Sequence, residues 1–351
     1  MSETIRTGVV GFGLAGRIFH TAVLSATPGY ELAAIVQRTG DEAATAYPTA
    51  RICRSVDELL TDPTIQLVVV ATPNPSHFPI AKQCLLAGRS VLVDKPMTLT
   101  SAEAAELIRL ARESGLVLSA YQNRRWDSDF LTLKQVLASG ELGRIIRFES
   151  RFDRFRLDPK PGAWREEPAL GGGILYDLGP HLIDQALNLF GPPESLWAEV
   201  RTERDSFTTD DSFDLHLTYP RMSVLLHATM AATAPGPRFM VNGTTGTYIK
   251  FGLDPQEDAI KRGDPIGGPN WGAEPESADG TLTLASGETR RIPTLPGDYR
   301  GIYANLREAL LGKTPLAVAP QDAWRTARII ELARQSSQLN QRLQLDLTHQ
   351  P

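Results

Sequence analysis

Three side chains, Asp177, His181 and Asp184, recur at helical spacing in the stretch that runs from Gly171-Gly172-Gly173 to Gln185. That spacing stacks them on one helix face over about two turns. A carboxylate one turn from an imidazole can fix the orientation of the ring and leave its second nitrogen free to take or give a proton. The apolar Ile174, Leu175, Leu178, Leu182, Ile183, Ala186, Leu187 and Leu189 fill the rest of the circumference, the mark of a helix buried on most sides. A titratable stripe on a buried helix is either a core histidine satisfied by an ion-pair partner or a site of acid–base chemistry. The first half of the chain favours the second reading.

There, a short buried strand over residues 5–10 runs into Gly11-Phe12-Gly13-Leu14-Ala15-Gly16 and a helix to about Ala26. Between a strand and a helix this is a dinucleotide turn. Gly11 permits the tight turn, Gly13 lets the backbone approach a pyrophosphate, and Gly16 lets helix and strand pack closely. A second strand, 31–37, ends beside the adenosine ribose of such a site, where an acidic residue would favour NAD. The sequence instead reads Gln37-Arg38-Thr39, and an arginine there suits a 2′-phosphate, so NADP is favoured, with NAD possible. The other reading of Arg38 is a solvated surface side chain. The apolar strand 65–71 breaks at Thr72-Pro73-Asn74-Pro75-Ser76-His77, and strand 90–93 leads into Asp94-Lys95-Pro96. Both loops emerge at the carboxyl edge of a parallel sheet, where such sheets bind ligands. Ser55 with Glu58 and Thr100 with Glu103 have capping-box spacing. The cofactor set expected from these turns is Gly11 to Gly16, Gln37, Arg38, Thr39, Thr72, Pro73, Asn74, His77, Asp94 and Lys95.

Alternation of strand and helix to about residue 120 is the pattern of a doubly wound parallel sheet, the Rossmann arrangement. After Tyr121 to Trp126 the pattern changes. One helix at 128–138 is followed by strands at 144–152, 196–201, 213–219, 222–230, 239–241 and 247–251, then a surface loop at 254–280 and amphipathic helices at 298–311 and 321–338. The expected fold is therefore α/β, an N-terminal Rossmann domain (1–122) plus a C-terminal α+β domain (123–351) with a large, mainly antiparallel sheet. The last helix is expected to pack near the first domain. In strand 222–230, both the Met222, Val224, Leu226 face and the Ser223, Leu225, His227 face look too apolar for open water. A homodimer or homotetramer through this sheet follows as an expectation.

A chain of 351 residues with 42 % hydrophobic and 22 % charged residues has ordinary globular values and length for two cores. A net charge of −5 gives no electrostatic reason to seek nucleic acid or an anionic membrane, so a small-molecule partner is expected. Cys53 and Cys84 are the only cysteines and allow neither a disulfide framework nor a zinc cluster. With no room for an apolar leader and no run of transmembrane length, a cytoplasmic location is expected.

The glycine turn, Ala71-Thr72-Pro73-Asn74, Asp94-Lys95-Pro96 and Gly172 to Asp184 together resemble the Gfo/Idh/MocA family over essentially the whole chain. Tyr121 to Phe130, Trp164-Arg165 and Gly252 to Asp258 resemble a narrower bacterial branch that includes NADP-dependent scyllo-inositol dehydrogenases. The resemblance implies that Lys95, Asp177 and His181 catalyse hydride transfer, and that Asn123, Trp164 and Arg165 approach the nicotinamide end of the cofactor. Asp94 stands where the family usually has Glu, which shortens that carboxylate by a methylene. The implied reaction removes a proton from a secondary alcohol of a cyclic polyol or sugar through Lys95 and His181, with His181 held by Asp177, while hydride passes to the nicotinamide. No metal is required. Lys95, Asp153, Asp177 and His181 are assigned to the substrate. Scyllo-inositol with scyllo-inosose is the first choice, aldoses and other sugars the alternative. A cofactor-binding sensor without catalysis is the alternative of another class.

Overall fold

The computed structural model describes residues 4–158, 167, 171–205 and 207–347. Six parallel strands, β1 (Ile5–Val10), β2 (Tyr30–Val36), β3 (Arg51–Cys53), β4 (Leu67–Val70), β5 (Ser90–Val93) and β6 (Leu118–Ala120), form a sheet in the order β3-β2-β1-β4-β5-β6. Val68, Val69, Val70, Val91, Leu92 and Val93 have no exposure, as expected of strands covered on both faces. Strand order reverses between β1 and β4, which opens a crevice at their carboxyl ends. The helix after β1 includes a π-helical turn (Gly16–Thr21) before α1 (Ala22–Ser25). The short α2 (Glu42–Ala46) has no apolar periodicity to announce it and is pinned by a bond from Ala43 N to Gln37 Oε1. Ser55 caps α3 (Val56–Leu60), and α4 spans His77–Leu86. Both bonds of the Thr100–Glu103 capping box start α5 (Ser101–Glu113), which satisfies two of the helix's free N–H groups.

The second sheet has nine strands in the order β14-β13-β12-β11-β7-β10-β9-β8-β15. They are β7 (Ile145–Asp153), β8 (Ser195–Arg201), β9 (Ser212–Tyr219), β10 (Met222–Thr229), β11 (Phe239–Gly243), β12 (Gly246–Lys250), β13 (Gly280–Leu284), β14 (Thr289–Ile292) and β15 (Leu343–Gln344). The β7–β10 pair is parallel and the other pairs are antiparallel. Phe148, Phe152, Leu215, Leu217, Val224 and Leu226 bury one face in a core shared with α6 (Ser128–Ala138), α8 (Gly179–Phe190, after the short α7, Ile174–Asp177) and α11 (Pro320–Leu339, after α10, Arg300–Leu310).

Two expectations need correction. The opposite face is mixed rather than apolar: Arg147–Glu149–Arg151 and Arg201–Asp214–His227 form ion-pair chains on it, and Leu225 lies between Glu149 and His216 of the neighbouring strands. The stretch 254–280 is not all loop. It holds α9 (Gln256–Arg262) and a 3₁₀ turn (Glu276–Ala278) before the β13–β14 hairpin, whose short, largely exposed β14 carries no alternating apolar signal. The last helix does return to the first domain, where Ser101 N and Oγ donate to the Glu331 carboxylate at 2.7 and 2.8 Å. Among the described residues, no helix is long and apolar enough to cross a membrane.

Candidate active site

A cleft of about 1040 Å³ opens at the carboxyl ends of β1 and β4 and runs to the second domain. Gly11 to Ala15, Gln37, Arg38, Thr39, Thr72, Pro73, Asn74, Asp94 and Lys95 line it from one side, and Gly171 to Gly173, Tyr176 and Asp177 from the other. Asn74 joins the two sides by donating from Nδ2 to Gly171 O at 3.1 Å. The glycines of the first turn fall into two kinds. At Gly11 φ is +103°, and a Cβ would stand 2.6 Å from Ala71 O; at Gly16 it would stand 2.0 Å from Gly11 O. The chain itself forbids side chains there. A Cβ at Gly13 would meet nothing within 4 Å, so the space kept clear there is space in the cleft. A backbone cradle at a helix start, open only at Gly13, fits a dinucleotide pyrophosphate.

At the far rim the two carboxylates that follow Arg38 along the chain are engaged elsewhere. Asp41 pairs with Arg54 Nη2 at 2.7 Å, and Glu42 accepts from Gln37 Nε2. Arg38 is exposed and lines the same cleft. Arg54, Ser55, Asp57 and Gln83 also line this cleft and were missed from the sequence. Arg54 and Ser55 directly follow β3, so the rule that ligands gather at the carboxyl ends of strands would have found them. His77 lies behind the wall, its Nδ1 2.8 Å from Pro96 O and its Nε2 2.7 Å from Thr72 O, tying the two loops together. Gly16 is likewise buried. Asn123 opens a buried 3₁₀ turn (Asn123–Trp126) and is not part of the cleft lining. Trp164 and Arg165 lie outside the described residues.

At the inner end Lys95 Nζ donates to Asp177 Oδ1 at 3.0 Å and to Asp177 O at 2.5 Å. Two domains thus meet in one ion pair. Asp177 ends α7 (Ile174–Asp177), whose first N–H groups are held by Asp210 through Ile174 N to O and Leu175 N to Oδ2, both at 2.8 Å. The expected single helix is broken at Leu178, and α8 restarts with Gly179-Pro180, since proline at the second position has no N–H to leave unpaired. Asp177 and His181 therefore sit on successive helices. Arg154 Nη1 approaches Asp177 Oδ2 at 3.7 Å, a contact that no local sequence signal announces.

His181 is 5 % exposed, and its Nδ1 has no hydrogen-bond partner among the described residues; Asp177 does not hold the ring through that nitrogen. Burial first, then the cations Lys95 and Arg124, push His181 well below the ordinary imidazole value. That shift favours the neutral imidazole, the form able to accept a proton. Asp184, the third member of the stripe, forms a buried fork with Arg125 at 2.8 and 2.6 Å, and Arg125 also reaches Asp322 at 3.0 Å. This residue is the satisfied core ion pair. The structure does not bring Asp153 to the Lys95 cluster: its carboxylate accepts from Gly236 N at 2.8 Å and faces His227 Nε2 at 3.4 Å on the sheet's charged face.

The family model described as an oxidoreductase family with an NAD-binding Rossmann fold matches residues 5–122, and the GFO/IDH/MocA C-terminal domain model matches 130–249. The uncharacterized oxidoreductase YdgJ of Escherichia coli is 44 % identical over 96 % of this chain and 97 % of its own. The scyllo-inositol 2-dehydrogenase (NADP(+)) IolW of Bacillus subtilis is 36 % identical over 98 % and 97 %. The solved structure of Bacillus subtilis yvaA superposes with a TM-score of 0.95 at 35 % identity, covering 99 % of each chain. That of YPO2259 from Yersinia pestis gives 0.93 at 42 %, covering 99 % of this chain and 98 % of the other. Two family-model domains, whole-length relatives and the glycine-lined crevice agree: the chain is an NAD(P)-binding oxidoreductase of the Gfo/Idh/MocA family.

Proposed function

We propose that the protein is a dehydrogenase that exchanges a hydride between NADP and a secondary alcohol or ketone of a cyclic polyol or sugar, with scyllo-inositol and scyllo-inosose as the first choice. The observation that carries this reading is the Lys95 Nζ–Asp177 Oδ1 contact of 3.0 Å at the inner end of the cleft, with neutral His181 one turn beyond. The whole-length likeness to IolW supports the substrate class and NADP. Bound in the cleft, the nicotinamide cofactor supplies the hydride acceptor or donor. In the oxidative direction the Lys95 cation stabilises the alcohol oxygen as it loses its proton, and His181 accepts that proton. Asp177 keeps the lysine at the end of the cleft rather than in solvent. Arg38 supplies the charge for the 2′-phosphate.

The test follows NADPH oxidation against keto-inositols, ketoses and aldoses. The highest kcat/KM should fall to scyllo-inosose. A faster aldose or ketose would reassign the substrate, and tight NADPH binding with no turnover of any candidate would make the protein a sensor.

A further inference from the structure

Behind the Lys95 turn lies a set of buried polar groups that the proposed reaction does not use. His20, on the π-helical turn Gly16–Thr21, is fully buried with its ring 4.3 Å from that of Tyr121. Its Nδ1 is 2.8 Å from the Tyr303 hydroxyl. Its Nε2 has no hydrogen-bond partner among the described residues and stands 3.7 Å from Asp94 Oδ1. That same Oδ1 accepts the Lys95 backbone N–H at 2.8 Å. A line of groups therefore runs from the dinucleotide helix to the peptide of the lysine.

The chemistry of the groups fixes the proton on His20. Burial pushes the Tyr303 phenol well above its ordinary value, so it keeps its proton. The nearby Tyr121 hydroxyl is committed to Phe19 O at 2.8 Å. With the Tyr303 O–H donating to Nδ1, the ring N–H is on Nε2 and points at the Asp94 carboxylate. The opposite tautomer would set a nitrogen lone pair against that carboxylate with no donor between them. A buried donor without a partner is destabilising, and the acceptor facing Nε2–H is Asp94 Oδ1, 3.7 Å away. π-Helical turns are frequent at functional sites, and this one carries the imidazole in question.

We propose that His20 is a positioning residue for Lys95: its Nε2–H engages Asp94, and Asp94, bonded to the Lys95 peptide, sets how far the lysine side chain reaches across the cleft toward Asp177. The inference rests on Lys95 being the catalytic cation. The groups that face His20 are Asp94, Tyr121 and Tyr303, with Lys95 and His77 behind the carboxylate. Burial alone would raise Asp94, but His20, Lys95 and His77 together hold it at about 2, so the carboxylate is charged at neutral pH.

His20→Phe removes the N–H and keeps the ring. Its kcat should fall roughly 10- to 100-fold, the scale of an ångström-level displacement of a catalytic group, while the Kd for NADPH from fluorescence titration changes little. Its kcat/KM should also fail at higher pH on the acid side than in the wild type, because Asp94 loses a partner that favours its charged form. His20→Gln, which can present an N–H near the position of Nε2, should recover part of both. The proposal is overturned if His20→Phe keeps wild-type kcat and acid limb while Lys95→Met is inactive. It is also overturned if Phe and Gln variants lose turnover and NADPH affinity equally, as a merely structural role would have it. Near-normal turnover of Lys95→Met removes the reading beneath it.

Discussion

Lys95→Met replaces a cation with a side chain of similar length and no charge, at the point where both domains meet. In the native protein the Nζ lies 3.0 Å from Asp177 Oδ1, so a substrate oxygen sharing that shell would stand about 3–4 Å from the charge. At an effective dielectric of about 20, a full negative charge at that distance is worth about 4–5.5 kcal/mol. Converted to rate, this is a fall of roughly 10³- to 10⁴-fold in kcat, at and above the roughly 10²- to 10³-fold cost of removing one neutral donor to a developing oxyanion. NADPH affinity should stay within a few-fold, because the cradle at Gly11 to Ala15 is untouched. A second signature follows from electrostatics. Lys95 is one of the cations that depress His181, so the residual activity of the variant should show an acid limb moved to higher pH. The assays are steady-state alcohol oxidation, followed as NADPH formation across pH, and a fluorescence titration of cofactor. Turnover within about tenfold of wild type, or a loss of NADPH binding that parallels the loss of rate, would refute the argument.

His181 has a consequence for stability as well as rate. Its folded value lies below the unfolded one, so the unfolded chain binds a proton that the native chain refuses, and stability should fall as pH drops below about 6.5. His181→Gln should flatten that part of the slope in urea midpoints compared at pH 5 and 7, and an unchanged slope would count against a neutral buried imidazole. Gly13→Ala should leave the thermal midpoint near wild type while weakening NADPH binding at least tenfold, since its Cβ meets only the cleft; Gly16→Ala, 2.0 Å from Gly11 O, should instead lower the midpoint. Arg38→Ala should cut the ratio of kcat/KM for NADP over NAD by roughly ten- to a hundredfold, the worth of a charge-assisted bond of about 1.5–3 kcal/mol. A ratio that does not move would place the selector elsewhere on the rim. We propose a homodimer or homotetramer through the charged face of the nine-stranded sheet, with light scattering at micromolar concentration and rising salt as the check; a monomer throughout would refute it.

The Rossmann sheet was legible because its signals are local. An almost unbroken apolar run such as Leu67–Val70 has few alternatives to a central strand, and Thr100 with Glu103 announces a helix start within four residues. The same locality explains what stayed hidden. Spacing placed Asp177, His181 and Asp184 on one helix, yet Pro180 lets the backbone break between the first two, and the partners that divide their roles come from far along the chain. Lys95 takes Asp177, while Arg125, which also holds Asp322, takes Asp184. Asp153 and Arg154 show the limit most sharply. They are neighbours in sequence, so no composition argument separates them, but the end of β7 sends Asp153 to the charged face with His227 and Arg154 toward Asp177. Which of two adjacent polar residues enters a site depends on the pleat and on strand pairing, here the parallel register that sets Asp153 against Thr229. A pairing 76 residues away in sequence thus decides which residue meets the ion pair, and that choice is made by the sheet rather than by the local segment.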